Sequence, residues 1–201
     1  MTAGISLRAA TRDDARALAE LIDFAGEGFG RYLWSQAAAP GQDPLEVGML
    51  RAQREEGGFS YRHATIAEID GNPAGLLLGY RLASPYLTGN LAALPETVRP
   101  LVELEAEVPG SWYVNALAAY PEFRGRGVGT RLLAEAERFA SSANASTLSL
   151  IVAEQNERAK GLYLRTGYRE AARRMLVPFP GLGHRGDWLL LTKKIAAIGP
   201  G

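Results

Sequence analysis

Apolar residues recur at three- and four-residue spacing in several segments of the chain, and this spacing predicts amphipathic helices. One apolar stripe covers residues 15–25. It follows Thr11, which together with Asp14 has the spacing of a capping box, so a helix is expected to begin there. A second stripe covers residues 128–140. Shorter helices are predicted over residues 44–56, ended by Gly57 and Gly58, and over residues 154–165, ended by Gly167.

Runs of apolar and β-branched residues predict strands between these helices. The tetrapeptide Asp70-Gly71-Asn72-Pro73 is typical of a turn, and the runs on either side of it predict a β-hairpin. The predicted strands cover residues 59–69, 74–82, 112–119, 147–153, 168–177 and 187–195. Strand and helix alternate in the centre of the chain, which predicts a mixed α/β fold whose central strands are parallel with a right-handed crossover.

Residues 95–108 fit two structures. Pro95 and the apolar spacing from Val98 to Leu104 favour a helix. The alternation of apolar residues with glutamates from Val102 to Val108 would instead suit a strand. We expect the helix.

Charge, hydropathy and hydrophobic content together indicate which classes of protein the sequence fits. The 201 residues carry 22 Lys and Arg against 22 Asp and Glu, so the chain lacks the cationic surplus that drives binding to nucleic acid backbones. No window approaches the ~18 consecutive apolar residues of a membrane span, and no export signal begins the chain, so a cytoplasmic protein is expected. A count of 47% hydrophobic residues is typical of a globular protein, and we expect one domain over residues 1–201.

The sequence contains no cysteine, which excludes disulfides, thiolate metal ligands and a cysteine nucleophile. A group-transfer reaction would therefore use another nucleophile or proceed directly onto the acceptor. We expect no metal site.

The most informative segment is a glycine-rich loop between a predicted strand and a predicted helix. Gly125, Gly127 and Gly129 allow the backbone to approach a ligand closely, and the start of the following helix presents unpaired N–H groups, so the loop is suited to a diphosphate. Two other phosphate-binding loops do not fit. A Walker loop ends in Gly-Lys-Ser/Thr, and the dinucleotide fingerprint needs a glycine where Thr130 stands.

Arg124, Gly127 and Gly129 instead match the pattern Gln/Arg-x-x-Gly-x-Gly/Ala, and residues 156–168 add a second block with Asn156, Tyr163 and a Gly-Tyr pair. Both blocks in this order resemble the GNAT superfamily of acyl-CoA-dependent N-acetyltransferases. The resemblance implies a mixed, mostly antiparallel sheet of six to seven strands with a central parallel pair and helices on both faces. It also implies an acceptor-side part over residues 5–110, an acetyl-CoA-binding core over 111–177 and a C-terminal strand over 187–195.

The resemblance further implies which residues bind acetyl-CoA, the cosubstrate. The loop would hold the diphosphate, the preceding strand would run along the pantetheine arm, and Asn156 would contact that arm. Tyr163 matches the tyrosine that lies near the thioester sulfur and would protonate the departing thiolate. A strand N–H group near 117–119 could stabilise the oxyanion. The expected acetyl-CoA-binding residues are Leu117, Ala118, Ala119, Arg124, Gly125, Arg126, Gly127, Val128, Gly129, Thr130, Asn156 and Tyr163.

The residue at the position of the family's general base differs from the family pattern. Many relatives carry a carboxylate two residues before the position of Leu117, whereas this chain has Asn115, which cannot take a proton at neutral pH. Glu103 and Glu105 are the next candidates, with Glu105 preferred, although either glutamate could belong to a solvated surface. His63 and His184 could act as bases by their pKa values, but lone histidines are more often structural. A water chain, or an acceptor that is already neutral, would need no such base.

The acceptor is expected to be a primary amine of a small molecule or a peptide. Phe29, Tyr32 and Trp34 follow the first predicted helix, where the family builds its acceptor channel, and simple core packing is an equal alternative for them. A different class of function, a CoA-binding sensor or scaffold without turnover, stays open because of Asn115. Nucleic acid and membrane partners are not expected, and a homodimer stays open.

Overall fold

The order of helices and strands follows the predicted alternation. The computed structural model describes residues 4–183 and 185–195. Its strands are β1 (Ser6–Ala9), β2 (Ala64–Ile69), β3 (Asn72–Arg81), β4 (Trp112–Ala119), β5 (Thr147–Ala153), β6 (Arg169–Met175) and β7 (Asp187–Lys194). Its α-helices are α1 (Ala15–Ala25), α2 (Phe29–Ser35), α3 (Pro44–Ala52), α4 (Arg99–Ala106), α5 (Val128–Ser142) and α6 (Glu157–Arg165).

The strands form a seven-stranded, mostly antiparallel sheet in the order β1-β2-β3-β4-β5-β7-β6. The β4 and β5 strands are parallel, and their register pairs Trp112 with Leu148 and Val114 with Leu150. This parallel register covers Trp112, Tyr113 and Val114, so the residues of β4 from Asn115 onward lie beyond it. The mixed fold and its single parallel pair among the described strands confirm the predicted fold class.

The chain packs into two compact units. The first is formed by the described residues up to Gly79, by Asn115–Leu133 and by Pro180–Leu182. The second is formed by Tyr80–Val114, by Ala134–Phe179 and by the described residues from Gly183 onward. In the first unit the apolar face of α1 packs with β2, β3 and Trp34. In the second unit Leu104, Leu148 and Leu190 are fully buried. The single domain over residues 1–201 stays a prediction.

Several boundaries differ from the predicted ones. The helix predicted over 44–56 ends at Ala52, and the helix predicted over 154–165 begins only at Glu157, because Asn156 caps it. The hairpin turn consists of Asp70 and Gly71, whose φ angles of 53° and 76° are typical of a tight hairpin turn, while Asn72 and Pro73 already belong to β3. Residues 59–63 precede β2 and are not part of it. For residues 95–108 the predicted helix is confirmed as α4.

The segment after α1 forms a helix that the pattern did not predict. Gly26 and Gly28 interrupt the apolar stripe, and Gly28 has a φ of 92°, so the chain turns before α2 begins at Phe29. Trp34 on α2 is 2% exposed and packs against Gly48 on α3, where a Cβ would lie 2.7 Å from the indole ring. Tertiary packing of one tryptophan on a glycine therefore stabilises a helix of only seven residues.

The start of α1 is held by a partly buried ion pair between Arg8 and Asp14. Asp14 accepts hydrogen bonds of 2.8 Å from both terminal nitrogens of Arg8 and one of 2.7 Å from the backbone N–H of Thr11. The hydrogen bonds with Arg8, above all, hold the pKa of Asp14 below its ordinary value. The expected pairing of Thr11 with Asp14 is confirmed, with a 3₁₀ turn over Arg12–Asp14 leading into the helix.

Asp14→Ala is expected to lower the free energy of unfolding by about 2 kcal/mol, because it removes a cap and leaves Arg8 without its partner. Since the pKa of Asp14 is lowered in the folded state, its contribution is present above the ordinary carboxylate pKa and is lost as pH falls through the folded value. Urea unfolding at neutral and acidic pH measures both effects. The exposed neighbour Asp13→Ala is the control, and equal losses for the two variants would contradict the account.

Candidate active site

The glycine-rich loop connects β4 to α5 and is exposed from Arg124 to Gly127. Gly125 and Gly127 have φ angles of 76° and 88°, which a residue with a side chain rarely adopts. A Cβ would meet nothing within 4 Å at Gly125, and at Gly127 it would meet only Ile5 Cδ1 at 3.9 Å. The glycines are therefore required by the backbone, and the space beside them is open to a ligand.

The first turn of α5 supplies the donors of this loop. The N–H of Arg131 donates to the carbonyl of Gly127 at 3.0 Å, which closes the first helical turn. The N–H groups of Val128, Gly129 and Thr130 precede that bond and have no acceptor within the helix. Together with the positive end of the helix dipole, they make the loop a suitable site for an anion.

Two arginines of the loop are held by their neighbours. Arg124 donates from Nε to the carbonyl of Ala119 at 3.2 Å, which ties the loop to the end of β4. The guanidinium of Arg126 lies over the ring of Phe123, 5.6 Å from its centroid. Both cations thus lie on the same short loop as the donors of α5, and the local charge favours a diphosphate.

Gly75 on β3 positions this loop and was not among the residues predicted from the sequence. A Cβ at Gly75 would lie 2.6 Å from Val128 Cγ1 and 2.7 Å from the carbonyl oxygen of Ala118. The helix that carries the loop amides therefore packs directly on the backbone of β3. A glycine inside an apolar strand is the signal that could have indicated this close approach.

Gly75→Ala is expected to lower the free energy of unfolding by about 1–3 kcal/mol and to weaken binding at the loop, because Val128 must move away from β3. Thermal unfolding and calorimetric titration with CoA measure the two effects. Gly183→Ala is the matched control, since its Cβ would meet nothing within 4 Å. Unchanged stability and CoA affinity in Gly75→Ala would contradict a positioning role.

The second sequence block, residues 156–168, forms α6 and the turn after it. Asn156 caps α6, with its side-chain oxygen accepting from the N–H of Ala159 at 3.0 Å. Tyr163 is 6% exposed, and its ring centroid lies 5.8 Å from that of Tyr168. Burial raises the pKa of the Tyr163 phenol above its ordinary value, so this hydroxyl stays protonated and able to donate.

The two candidate glutamates on α4 lie in different surroundings. Glu103 accepts from Nε of Arg174 at 3.1 Å, and Arg174 also donates to Glu107 at 2.7 Å. Glu105 instead accepts hydrogen bonds from the hydroxyls of Tyr86 and Tyr113. Burial raises the pKa of Glu105 above its ordinary value, and the two tyrosine hydrogen bonds oppose this shift. Of the two glutamates, Glu105 is therefore the one whose pKa is raised, which is the direction that a general base requires.

The remaining candidates are placed as follows. Phe29 and Tyr32 stack with ring centroids 6.3 Å apart, whereas Trp34 is a core residue. Their role toward an acceptor stays a prediction. Asn115 is half-buried in β4 and His63 ends a 3₁₀ turn before β2. His184 lies outside the described residues.

Residues 4–183 and 185–195 contain no cluster of three His, Asp or Glu side chains of the kind that binds a metal ion. None of the helices in these residues is long and apolar enough to cross a membrane.

Solved structures of acetyltransferases share this fold. An acetyltransferase crystal structure aligns with a TM-score of 0.64 at 19% identity and covers 95% of this chain and 100% of its own. An N-acetyltransferase from Staphylococcus aureus Mu50 aligns with a TM-score of 0.62 at 18% identity. The alignment covers 93% of this chain and 99% of that one. The PaiA N-acetyltransferase from Thermoplasma acidophilum, in complex with coenzyme A, aligns with a TM-score of 0.56 at 15% identity. The alignment covers 96% of this chain and 99% of that one.

The sequence itself carries the family signature. The acetyltransferase (GNAT) family profile matches residues 32–168, which include the glycine-rich loop and the block that contains Asn156 and Tyr163. No curated protein matches the sequence. The family profile covers more than half of the chain, and the chain has the fold of solved acetyltransferase structures. This protein therefore belongs to the GNAT family of acetyltransferases.

Proposed function

We propose that this protein transfers the acetyl group of acetyl-CoA directly to the primary amine of a small molecule or peptide, with both substrates bound at once. The observation that carries the proposal is the loop from Arg124 to Thr130. It combines two glycines at positive φ, open space beside them and the start of a fifteen-residue helix. The geometry fits a CoA diphosphate, and membership of the GNAT family supports acetyl transfer.

Acetyl-CoA supplies an acetyl thioester, whose carbonyl carbon is attacked by the amine. The N–H groups of 125–130 bind the diphosphate, and the backbone of Leu117, Ala118 and Ala119 runs along the pantetheine arm. An N–H group of this segment donates to the developing oxyanion, since a fixed backbone donor needs little reorganisation when charge appears. The amide of Asn156 has two N–H donors besides the oxygen that caps α6, and these bind the pantetheine arm.

Two side chains move protons in this proposal. Glu105 accepts the proton that the acceptor ammonium must lose before it can attack. Tyr163 donates its phenolic proton to the thiolate as the carbon–sulfur bond breaks. The sequence has no cysteine to form an acetyl-enzyme, which favours direct transfer.

Glu105 supports the proposal because it compensates for Asn115. Alternate residues of a strand point to the same face, so Tyr113 and Asn115 share one face of β4. Tyr113 donates to the carboxylate of Glu105. In this proposal Glu105 of α4 takes the role of the carboxylate that the resemblance to the family leads one to expect on the strand.

Tyr163→Phe is expected to lower kcat by about 10- to 1,000-fold with little change in CoA affinity, because only the proton donor is removed. Tyr168→Phe is the matched control. The Tyr168 hydroxyl is buried and has no hydrogen-bond partner in the described part of the chain, so its loss should leave kcat unchanged. Steady-state kinetics with calorimetry measure both parameters. A fall in CoA affinity with kcat retained would assign Tyr163 to binding instead.

Thiol release tests the proposed function as a whole. Acetyl-CoA is incubated with the protein and a panel of primary amines, and free CoA thiol is measured over time. We expect release that depends on the amine, with the acetylated amine identified by mass spectrometry. Tight binding of acetyl-CoA without amine-dependent release for any member of a broad panel would favour a CoA sensor or scaffold.

A further inference from the structure

The loop that follows β4 starts and ends over neighbouring residues of β3. At its start, the backbone N–H of Tyr120 donates to the carbonyl of Ala74 at 3.0 Å. At its end, Val128 packs on the backbone of Gly75. The two anchors lie side by side, so they fix where the loop is attached but do not prevent it from tilting about the line that joins them. A contact away from this line is needed to fix the orientation of the loop.

The side chain of Tyr120 makes such a contact with α1. Its hydroxyl donates to Glu20 Oε2 at 2.7 Å, and its ring meets that of Phe24 edge to face, with centroids 6.0 Å apart. Glu20 and Phe24 are four positions apart, so they lie on the same face of the helix. The other carboxylate oxygen of Glu20 pairs with Arg16 at 3.3 Å, which orients the acceptor of the tyrosine hydrogen bond. All of these residues belong to the first compact unit.

The α1 helix is a firm support for this contact. Its core face is buried, with Leu18 and Leu21 at most 1% exposed, and its start is held by Asp14. Burial, followed by the hydrogen bond to Glu20, raises the pKa of the Tyr120 phenol above its ordinary value. The hydroxyl therefore remains a donor at neutral pH.

The carbonyl of Tyr120 transmits the orientation of this residue to the loop. It accepts from the N–H of Phe123 at 3.0 Å, which closes the 3₁₀ turn over Pro121–Phe123. The next N–H, that of Arg124, donates to the carbonyl of Pro121 at 3.2 Å. Rotation of Tyr120 would therefore move the turn and the exposed glycine-rich segment with it. A loop that is already ordered before its ligand arrives loses less conformational entropy on binding.

We propose that Tyr120 is a positioning residue of the acetyl-CoA site, and that its hydrogen bond to Glu20 holds the glycine-rich loop in the orientation that binds the diphosphate. The inference rests on the proposed binding of CoA at this loop. Tyr120 acts through the backbone of the turn rather than on the reacting atoms. Loss of its hydroxyl should therefore weaken binding of the ground state and the transition state equally, which raises KM for acetyl-CoA and leaves kcat unchanged.

Tyr120→Phe tests the hydrogen bond, because this variant keeps the ring against Phe24. We expect it to weaken CoA about three- to tenfold in calorimetric titrations and to raise KM for acetyl-CoA by a similar factor, with kcat within about twofold of wild type. Tyr61→Phe is the matched control. The Tyr61 hydroxyl also donates to a glutamate, Glu55, at 3.0 Å, and neither residue belongs to α1 or to the loop. This variant should keep the CoA affinity of wild type.

A double-mutant cycle assigns the effect to the pair of side chains. Glu20→Ala should weaken CoA about as much as Tyr120→Phe, and the double variant should bind no more weakly than either single variant. Glu20→Gln keeps an oxygen that can accept from the tyrosine hydroxyl, so it should retain most of the affinity. Arg16→Ala removes the other partner of Glu20 and should change the affinity little. Urea unfolding of each variant measures its stability.

Wild-type CoA affinity in Tyr120→Phe, or losses that add up in the double variant, would overturn the proposal. A fall in stability alone, with CoA affinity and KM unchanged, would give Tyr120 a packing role only and would overturn it as well. Thiol release with the amine panel is measured in parallel. Turnover with equal CoA affinity in all variants would leave acetyl transfer standing and overturn the positioning role. CoA binding that depends on Tyr120 and Glu20, without turnover on any amine, would contradict acetyl transfer and leave the positioning role standing.

Discussion

Gly127→Val should abolish acetyl-CoA binding over the concentration range in which wild type saturates, a loss of about a hundredfold or more. A β-branched residue cannot adopt a φ of 88° without strain, and its side chain would enter the open space where the diphosphate is expected. The helix would keep its N–H groups, but they would no longer reach the phosphate oxygens. Calorimetric titration with acetyl-CoA measures the effect.

Gly41→Val separates strain from ligand contact. Gly41 has a φ of 80° and, like Gly125, no atom near its Cβ, so the substitution introduces comparable backbone strain away from the loop. We expect Gly41→Val to lower stability while it keeps acetyl-CoA affinity. If Gly127→Val folds and binds acetyl-CoA as tightly as wild type, the diphosphate does not lie on this loop.

Glu105→Gln should lower kcat/KM by about 10²- to 10⁴-fold and remove the acidic limb of its pH profile, because the amide cannot accept a proton. Burial raises the pKa of Glu105 above the ordinary value of 4.5, so in wild type this limb should lie above that value. Activity should rise with pH through the limb, since only the ionised carboxylate is a base.

As pH rises, the contribution of Glu105 to the free energy of unfolding should fall while the activity rises. A raised carboxylate pKa means that the folded state favours the protonated form, so the contribution of Glu105 to stability is present at low pH and is lost as pH rises through its folded pKa. Glu105→Gln removes the charge and should therefore be no less stable than wild type at neutral pH. Urea unfolding measures this.

Glu103→Gln provides the comparison for the base. Glu103 is paired with Arg174, so its replacement should change kcat/KM far less than replacement of Glu105. If Glu103→Gln instead carried the loss, the base would be Glu103. Wild-type rates and an unchanged acidic limb in both variants would place proton removal elsewhere, for example at a histidine, a water chain or an already neutral amine.

Much of the fold could be predicted because local pattern and tertiary structure agree. The strands over 112–119 and 147–153 and the start of α5 at Val128 are found where the sequence predicts them. Each has a clear hydrophobic period, and Pro121 and Gly127 mark the end of the first strand and the start of the helix. The α2 helix escaped prediction because its stability comes from the packing of Trp34 on Gly48, and no local pattern records that contact.

The candidate site was predictable where its chemistry depends on backbone conformation. Positive φ at Gly125 and Gly127 follows from the residue type and the loop pattern, which the sequence shows directly. The role of Gly75 depends on contact with Val128, which belongs to a distant segment of the chain. Glu105 could be proposed as a candidate from its position before β4. Its surroundings could not be predicted, because Tyr80, Tyr86 and Tyr113 come from separate segments of the chain.

Direct transfer is the central claim, and a single-turnover experiment tests it most directly. Protein in excess is mixed with acetyl-CoA that carries an isotopic label in the acetyl group, together with a primary amine that supports thiol release. Mass spectrometry then follows the label on the amine and on the intact protein. The account predicts one labelled amine for each thiol released and an unlabelled protein throughout. Label that appears first on the protein, or bound acetyl-CoA that keeps its label indefinitely, would contradict it.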